Sequence, residues 1–330
     1  MKILVTGGAG YIGSHAVLAL GEAGHDMVVY DNISTGHDWA VLHGELVVAD
    51  LSDLSMLRIV LAEHNFDAVI HFAGSIVVPE SVENPLKYYT NNTCNTLGLL
   101  QCCVEAGVKY FMFSSTAAVY GMPDSDVVDE LTPLQPINPY GASKMMSEQM
   151  IRDTCAASNM KYCILRYFNA AGADPSGRIG QSTPNTSHLI KLACETALGN
   201  RDSLTVFGTD YPTSDGTCVR DYIHVSDLAS AHLYALAYLD KGGESDVFNC
   251  GYGSGYSVRQ VIKAVENVSS ANLKVLDGDR RAGDPAKMVA DSCRLQNVTG
   301  WQPKHNDLEE IVGSALSWER KLPTILKAQI

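Results

Sequence analysis

Seven residues near the N-terminus, Gly7-Gly8-Ala9-Gly10-Tyr11-Ile12-Gly13, constrain this chain more than any other segment. They follow the apolar run Lys2-Ile3-Leu4-Val5 and open the apolar stretch His15-Ala16-Val17-Leu18-Ala19-Leu20. Strand, glycine turn and helix in that order is the setting of a dinucleotide phosphate site. Glycine lets the backbone turn tightly and approach a pyrophosphate with no Cβ in the way. The helix start adds free N–H groups and a partial positive charge. The spacing is G-x-x-G-x-x-G, one residue longer than the commoner G-x-G-x-x-G. A second mark is Asp31, which ends the apolar run 27–30 and lies 18 residues past Gly13. A carboxylate there accepts from the adenosine ribose and repels a 2′-phosphate, so NAD is expected rather than NADP. Alone, the turn also suits a ligand-free connection and Asp31 a simple cap; together they point to a cofactor.

The remainder of the chain fits that start. At 330 residues it can bury a large core and divide into two domains. A hydrophobic fraction of 46% with 18% charged residues belongs to a globular chain. The net charge of −13 speaks against nucleic acid and against an anionic membrane surface. An anionic substrate would therefore need a locally basic pocket. Nine cysteines are scattered with no C-x-x-C pair, as expected of reduced thiols with neither a disulfide framework nor a zinc site. No stretch has the length and apolarity to span a membrane and no leader pattern is present, so a cytoplasmic protein is expected.

Short apolar runs at 2–6, 27–31, 46–49, 68–72, 110–114 and 162–166 alternate with helical patterns such as 54–64 and 91–106. Strands this uniformly apolar imply an α/β fold, a Rossmann-type doubly wound parallel sheet covered on both faces. After Asn169 the pattern breaks into a Gly- and Pro-rich loop at 172–184. Weaker elements follow at 189–198, 204–207, 258–267 and 273–276. The expected division is an NAD-binding domain at 1–170 and a smaller α/β substrate domain at 171–330, with 219–238 packing back onto the first.

Tyr140-Gly141-Ala142-Ser143-Lys144 places a tyrosine and a lysine one helical turn apart. A free tyrosine, with a pKa of about 10, is a poor base. A nearby ammonium and a positive nicotinamide ring favour the phenolate, which can then exchange a proton with a hydroxyl. Upstream, Ser114-Ser115-Thr116 ends a strand and could meet a substrate hydroxyl. One or two of the three are expected to bond within the protein instead.

At this point the chain resembles the extended short-chain dehydrogenase/reductases, and among them the nucleotide-sugar 4-epimerases. The resemblance runs nearly end to end. It rests on T-G-G-A-G-Y-I-G at 6–13, Asp31-Asn32, His71-Phe72-Ala73-Gly74, Tyr88-Tyr89-Thr90-Asn91-Asn92, S-S-T-A-A-V-Y-G at 114–121 and Tyr140/Lys144. It continues through Arg166-Tyr167-Phe168-Asn169, Asp210-Tyr211-Pro212-Thr213, Val219-Arg220-Asp221-Tyr222-Ile223-His224 and Arg281-Ala282-Gly283-Asp284-Pro285. It implies an enzyme with Tyr140, Lys144 and Thr116 as catalytic residues, Thr116 standing where many relatives carry serine. It implies NAD contacts from Gly7, Gly10, Tyr11, Ile12, Gly13, Asp31, Asn32, Asp50, Leu51, Phe72, Ala73, Asn91, Tyr140, Lys144 and Phe168. Ile76 stands where several relatives have lysine, so weaker NAD retention is expected.

The implied substrate is a UDP-sugar held by Thr116, Asn169, His188, Leu189, Phe207, Arg220, Arg281 and Asp284, with Met288 as gatekeeper beside the sugar. The arginines supply the local positive field that a diphosphate needs. The main pair is expected to be UDP-glucose and UDP-galactose, with UDP-N-acetylhexosamines, UDP-pentoses or UDP-hexuronates as the alternative. Lys191 occupies a place where relatives usually have proline. A 4,6-dehydratase would need a carboxylate beside Thr116, where this chain has Ala117-Ala118. A noncatalytic NAD-binding regulator would have no use for Tyr140, Lys144 and Thr116. Relatives usually dimerise, which makes helices at 91–106 and 140–158 the candidate homodimer faces.

Overall fold

The computed structural model describes residues 1–183, 186–281 and 283–328. Pro184, at the end of the expected 172–184 loop, and Ala282, inside the 281–285 motif, lie outside the described residues, as do Asn185, Gln329 and Ile330.

Seven strands form one parallel sheet in the spatial order Asp246–Cys250, Lys161–Tyr167, Tyr110–Thr116, Ala68–His71, Lys2–Thr6, Asp26–Asp31 and Glu45–Val48. Side chains alternate across a strand, and each face here has its own core. Ile3, Val5, Val29, Ile70 and Leu165 join one cluster, roofed by Val17 and Leu20 of helix Tyr11–Glu22 and Leu228 and Leu236 of helix Val225–Asp240. Leu4, Val28, Val69, Phe111 and Ile164 join the other, roofed by Leu57 of helix Leu54–His64, Leu99 of helix Asn95–Glu105 and Ile151 of helix Pro139–Ala156. Burial on both faces explains why these strands read as continuous apolar runs. Each fully buried Leu, Ile or Val contributes roughly 1.5–3 kcal/mol.

Strand order reverses beside Lys2–Thr6, whose neighbours are Asp26–Asp31 and Ala68–His71. A crevice opens at such a switch point, at the carboxyl ends of the strands. The glycine turn sits there.

Two elements around the large sheet differ in kind from the expectation. The 91–106 helix begins as a wider π-helical turn at Tyr89–Cys94 and becomes α-helical only at Asn95–Glu105. The Asn92 carbonyl accepts from the Thr96 hydroxyl at 2.5 Å and the Ser147 hydroxyl at 3.2 Å, which competes with the ordinary helical ladder. Asp246–Cys250, for which the sequence pattern gives no strand, forms the sheet edge beside Lys161–Tyr167.

The remaining elements surround a third core. Helices Leu189–Ala197, Val258–Ser269 and Leu308–Lys327 pack Ala193, Val261, Val265, Ile311 and Val312 together with Val206. Ser257 and Gln260 close a reciprocal cap on the second of these helices. Leu204–Phe207 pairs in parallel with Val275–Gly278, two residues beyond the start expected for that strand. Val219–Arg220 lies between Tyr256–Ser257 and Lys287–Ala290, and Tyr222–His224 pairs with Asn169–Ala171. Asp221 is the residue between those two short strands.

Candidate active site

The glycine turn is sterically forced. Gly7 has φ +72°, and a Cβ on it would lie 2.4 Å from the Ala73 nitrogen. A Cβ on Gly13 would lie 2.1 Å from the Gly7 carbonyl oxygen. Gly10 differs: φ is −76°, and its Cβ would meet only the Gly7 oxygen at 3.4 Å, an ordinary contact. The fold itself does not require glycine at that position. No side chain caps the Tyr11–Glu22 helix that follows, so its first N–H groups remain for a ligand. Asp31 is buried; its carboxylate accepts from Ala9 N at 3.0 Å and Ile33 N at 2.8 Å. Those two bonds leave acceptor sites on the carboxylate for hydroxyls. Burial raises its pKa and the two N–H groups oppose that shift. This cradle and acceptor set fit NAD.

The other cofactor candidates gather around the same crevice. Asn32 donates to Asp50 at 2.7 Å, beside buried Leu51. Ala73 N donates to Thr6 O at 3.1 Å, and the Phe72 ring lies 4.8 Å from that of His232. Asn91 donates to the Ser75 hydroxyl at 3.0 Å, while the Tyr11 hydroxyl donates to the Gly172 carbonyl at 2.7 Å. Ile12 and Phe168 reach the adjoining cleft.

The helix that carries Tyr140 and Lys144 starts at Pro139, with the Asn138 side chain accepting from Gly141 N at 2.8 Å. A Cβ on Gly141 would lie 2.5 Å from the Ala118 oxygen, so glycine lets the helix start close against the 116–118 turn. Lys144 follows Tyr140 by one turn and is buried. Its Nζ donates to the Ser114 carbonyl at 2.8 Å and lies 4.7 Å from the centre of the Phe113 ring. Burial pushes its pKa down to about 8, with Glu148 pulling it back up. Burial raises the Tyr140 phenol, and its hydrogen bond with Thr116 opposes that shift.

Each hydroxyl of the upstream run has a protein partner. Ser114 bonds the Tyr167 hydroxyl, Ser115 donates to Glu148 at 2.6 Å, and Thr116 accepts from Ala118 N at 3.1 Å. Thr116 alone of the three also faces Tyr140. Glu148 was absent from the candidates. It forms a buried ion pair with Arg166, through Nε at 2.9 Å and Nη2 at 2.6 Å. Its signal was the spacing Tyr140, Lys144, Glu148, three rungs of four on one helix face.

Thr116 and Tyr140 open onto a cleft of about 920 Å³. All the substrate candidates line it: Thr116, Asn169, His188, Leu189, Phe207, Arg220, Arg281, Asp284 and Met288. Arg220 lies 3.5 Å from the Asp284 carboxylate, and the Arg281 guanidinium lies 3.9 Å from the centre of the Phe207 ring. Asn169 donates its amide to the Asp221 carbonyl at 3.0 Å. His188 is held neutral: burial and the Lys191 charge push its pKa down to about 4. Lys191 pairs with Glu319, and with Glu195 at 3.3 Å, at the cleft wall. Ile76 lines the cleft half-exposed, and Tyr167 lines it beyond the sequence-based candidates.

With fold and site described, the class is plain. The model of the NAD dependent epimerase/dehydratase family matches residues 3–251, and the chain belongs to that family. It is 56% identical to a UDP-glucose 4-epimerase of Azospirillum brasilense over 97% of this chain and 92% of that protein. A UDP-glucose 4-epimerase of Brucella ovis, solved in complex with NAD, superposes with a TM-score of 0.93 at 42% identity, over 96% of this chain and 97% of that one. The UDP-Glc/GlcNAc 4-epimerase of Campylobacter jejuni superposes with a TM-score of 0.86 at 50% identity, over 97% and 99%.

Proposed function

We propose that this chain interconverts UDP-glucose and UDP-galactose by inverting C4 of the hexose. The observation that carries this reading is the single cleft shared by Tyr140, Thr116 and every candidate for a nucleotide sugar. Tyr140 removes the proton of the 4-hydroxyl and later returns it. Bound NAD would supply the hydride acceptor and donor for C4, the 4-ketose being re-reduced on its opposite face, so net redox is zero. Thr116 shares the 4-hydroxyl proton with Tyr140. Lys144, held by the Ser114 carbonyl, places a positive charge by the phenolate. Arg220 and Arg281 hold the diphosphate, Asp284 a ribose hydroxyl, Asn169 the diphosphate or sugar, and His188, Leu189 and Phe207 the nucleotide end. Gly7, Gly10 and Gly13 give the pyrophosphate of NAD its backbone cradle. Tyr11, Ile12, Asp31, Asn32, Asp50, Leu51, Phe72, Ala73, Asn91 and Phe168 complete the cofactor site.

Residues 1–170 serve mainly the cofactor and 171–330 the nucleotide sugar. The enzyme works as a cytoplasmic homodimer; among the described residues no helix is long and apolar enough to cross a membrane. Exposed Leu97 and Val104 of Asn95–Glu105 and Met146 of Pro139–Ala156 support those two helices as the dimer face. A second reading adds N-acetylated sugars, because Met288 at the cleft wall is a flexible side chain that can move aside.

Purified protein incubated with UDP-galactose alone tests the first reading, with UDP-glucose read by a coupled dehydrogenase. Conversion without added NAD, lost in Tyr140→Phe, is the expected result. Conversion only with added NAD keeps the reaction and shows weak NAD retention, consistent with Ile76. No conversion under either condition refutes it. Equal rates on UDP-GlcNAc and UDP-glucose would promote the second reading to the first.

A further inference from the structure

The Val219–His224 segment holds one group that the reaction leaves unused. Asp221 is fully buried, although its neighbours Arg220 and Tyr222 both line the cleft. Its carboxylate accepts from Tyr252 N at 3.0 Å, Gly253 N at 3.0 Å and Ala290 N at 3.3 Å. The first two donors belong to the turn after the large-sheet edge strand Asp246–Cys250; the third ends the strand Lys287–Ala290, which carries Met288. The Asp221 carbonyl accepts both the backbone N–H of Asn169 at 3.1 Å and its side-chain amide at 3.0 Å. A Cβ on Gly251 would lie 2.7 Å from the Asp221 Oδ2, so the turn closes tightly over the carboxylate.

We propose that Asp221 is a positioning residue of the nucleotide-sugar site, pinning Arg220, Asn169 and the Met288 strand to the end of the large sheet. This rests on the function proposed above. Three N–H donors converge on one side chain, and only an ionised carboxylate offers acceptors to all of them with no competing donor. Asparagine has a single acceptor oxygen and would turn an N–H toward N–H groups. Protonation of Asp221 places an O–H in the same position.

Burial pushes the Asp221 pKa up to about 6, and the N–H groups of Tyr252, Ala290 and Gly253 pull it back. No cation is among the groups that set its titration. The titratable groups around it are Cys250 at the end of the edge strand, Tyr252 from the turn after it, Tyr256 from the strand paired with Val219–Arg220, and Lys287 and Asp291 at the start of and just past the Lys287–Ala290 strand. Arg220 and Tyr222 flank it on its own segment, and Asp227 accepts the Tyr252 hydroxyl at 2.7 Å. In the cleft His188 titrates well below this range, near 4. UDP-glucose is a diphosphate diester and does not change charge between pH 5 and 8.

KM and kcat for UDP-glucose, measured from pH 5 to 8, test the pin, alongside Asp221→Asn at pH 8 with its melting curve. The expected result is a KM that rises below pH 6, approaching roughly tenfold per unit, independently of the acid limb that the Tyr140 phenol gives kcat. Asp221→Asn should show the raised KM already at pH 8. Loss of folded protein lowers apparent kcat and leaves KM unchanged, so the split separates positioning from instability. If Asp221→Asn does not fold, the wild-type pH series decides alone. A KM flat from pH 5 to 8, or a folded variant with wild-type KM, overturns the pin. Absence of any conversion by wild type at pH 8 would instead overturn the function it rests on.

Discussion

The two sides of the cleft are built from different material. The pyrophosphate end of the proposed cofactor site is backbone: seven contiguous residues, a forced φ at Gly7 and the uncapped start of one helix. The sugar-nucleotide side is side chains from five separated segments, Asn169, His188-Leu189, Phe207, Arg220 and the 281–288 stretch. Its charges come in contacts, Arg220 with Asp284 and Arg281 over Phe207. A backbone site is local in the sequence and intolerant of added atoms. A side-chain site is dispersed and tolerates substitution at the cost of affinity. Mutations at the sterically closed Gly7 and Gly13 should therefore damage folding and cofactor binding together, and those on the second side KM alone.

Where the two sides meet, neither rule holds, and the largest effect is expected. Tyr140→Phe removes the proton acceptor without changing the ring, so kcat should fall about 10²–10⁴-fold with little change in stability. Steady-state rates and a melting curve on one preparation check this. A fall under tenfold would mean that the proton leaves by another group.

Arg220→Met tests the sugar side. A charge-assisted hydrogen bond is worth about 1.5–3 kcal/mol, so KM for UDP-glucose should rise roughly 10–100-fold at near-constant kcat. Added salt should raise KM less in the variant than in wild type. A drop in kcat with unchanged KM would make Arg220 part of the chemistry and break the division between the sides.

Gly7→Ala tests the cofactor side. The added Cβ meets Ala73 backbone at 2.4 Å on a residue of positive φ. Strain of this kind costs on the order of 1–3 kcal/mol, so the melting temperature and NAD affinity should fall together. Calorimetry with and without NAD separates the two losses. Unchanged stability would show that the turn has room the geometry denies.

Lys144 gives a pH limb that belongs to neither mutation. Burial lowers its pKa to about 8, so the ammonium is present below that pH and lost as pH rises through it. Its support for the phenolate goes with it, and kcat should fall as pH climbs above about 8, approaching roughly tenfold per unit if the ammonium is obligatory. A pH–rate profile at saturating substrate reads this directly; a kcat that keeps rising to pH 10 would remove Lys144 from the role.

The same difference of material decides what was legible in the sequence. The strand at 2–6 and the helix at 54–64 match the observed Lys2–Thr6 and Leu54–His64, because continuous apolar strands and Asp53 as a helix cap are local signals. Asp246–Cys250 escaped notice: five residues including Asp246 and Asn249 carry no apolar run, and pairing with Lys161–Tyr167 makes the strand. Glu148 carries no local mark of burial, because a helical glutamate usually faces solvent; Ser115 and Arg166 across the core reveal it. On the sugar side no local rule picks Arg220 or Arg281 from the other arginines. Resemblance points to them; in the fold both line the same cleft.

The smallest effect is the sharpest test of the contrast. Gly10→Ala adds a Cβ whose nearest neighbour is the Gly7 oxygen at 3.4 Å, at an ordinary φ of −76°. Alanine is a clearly poorer helix cap than glycine but restricts the unfolded chain, two terms of opposite sign and similar size. Stability of the NAD-free protein should therefore stay within about 0.5 kcal/mol of wild type. NAD affinity should nevertheless fall, because the methyl fills the space where a pyrophosphate approaches the helix start. Gly7→Ala and Gly10→Ala, three residues apart in one turn, would then separate what the fold needs from what the ligand needs. Equal losses of stability would mean that the whole turn is structural, while undiminished NAD binding in Gly10→Ala would place the pyrophosphate elsewhere.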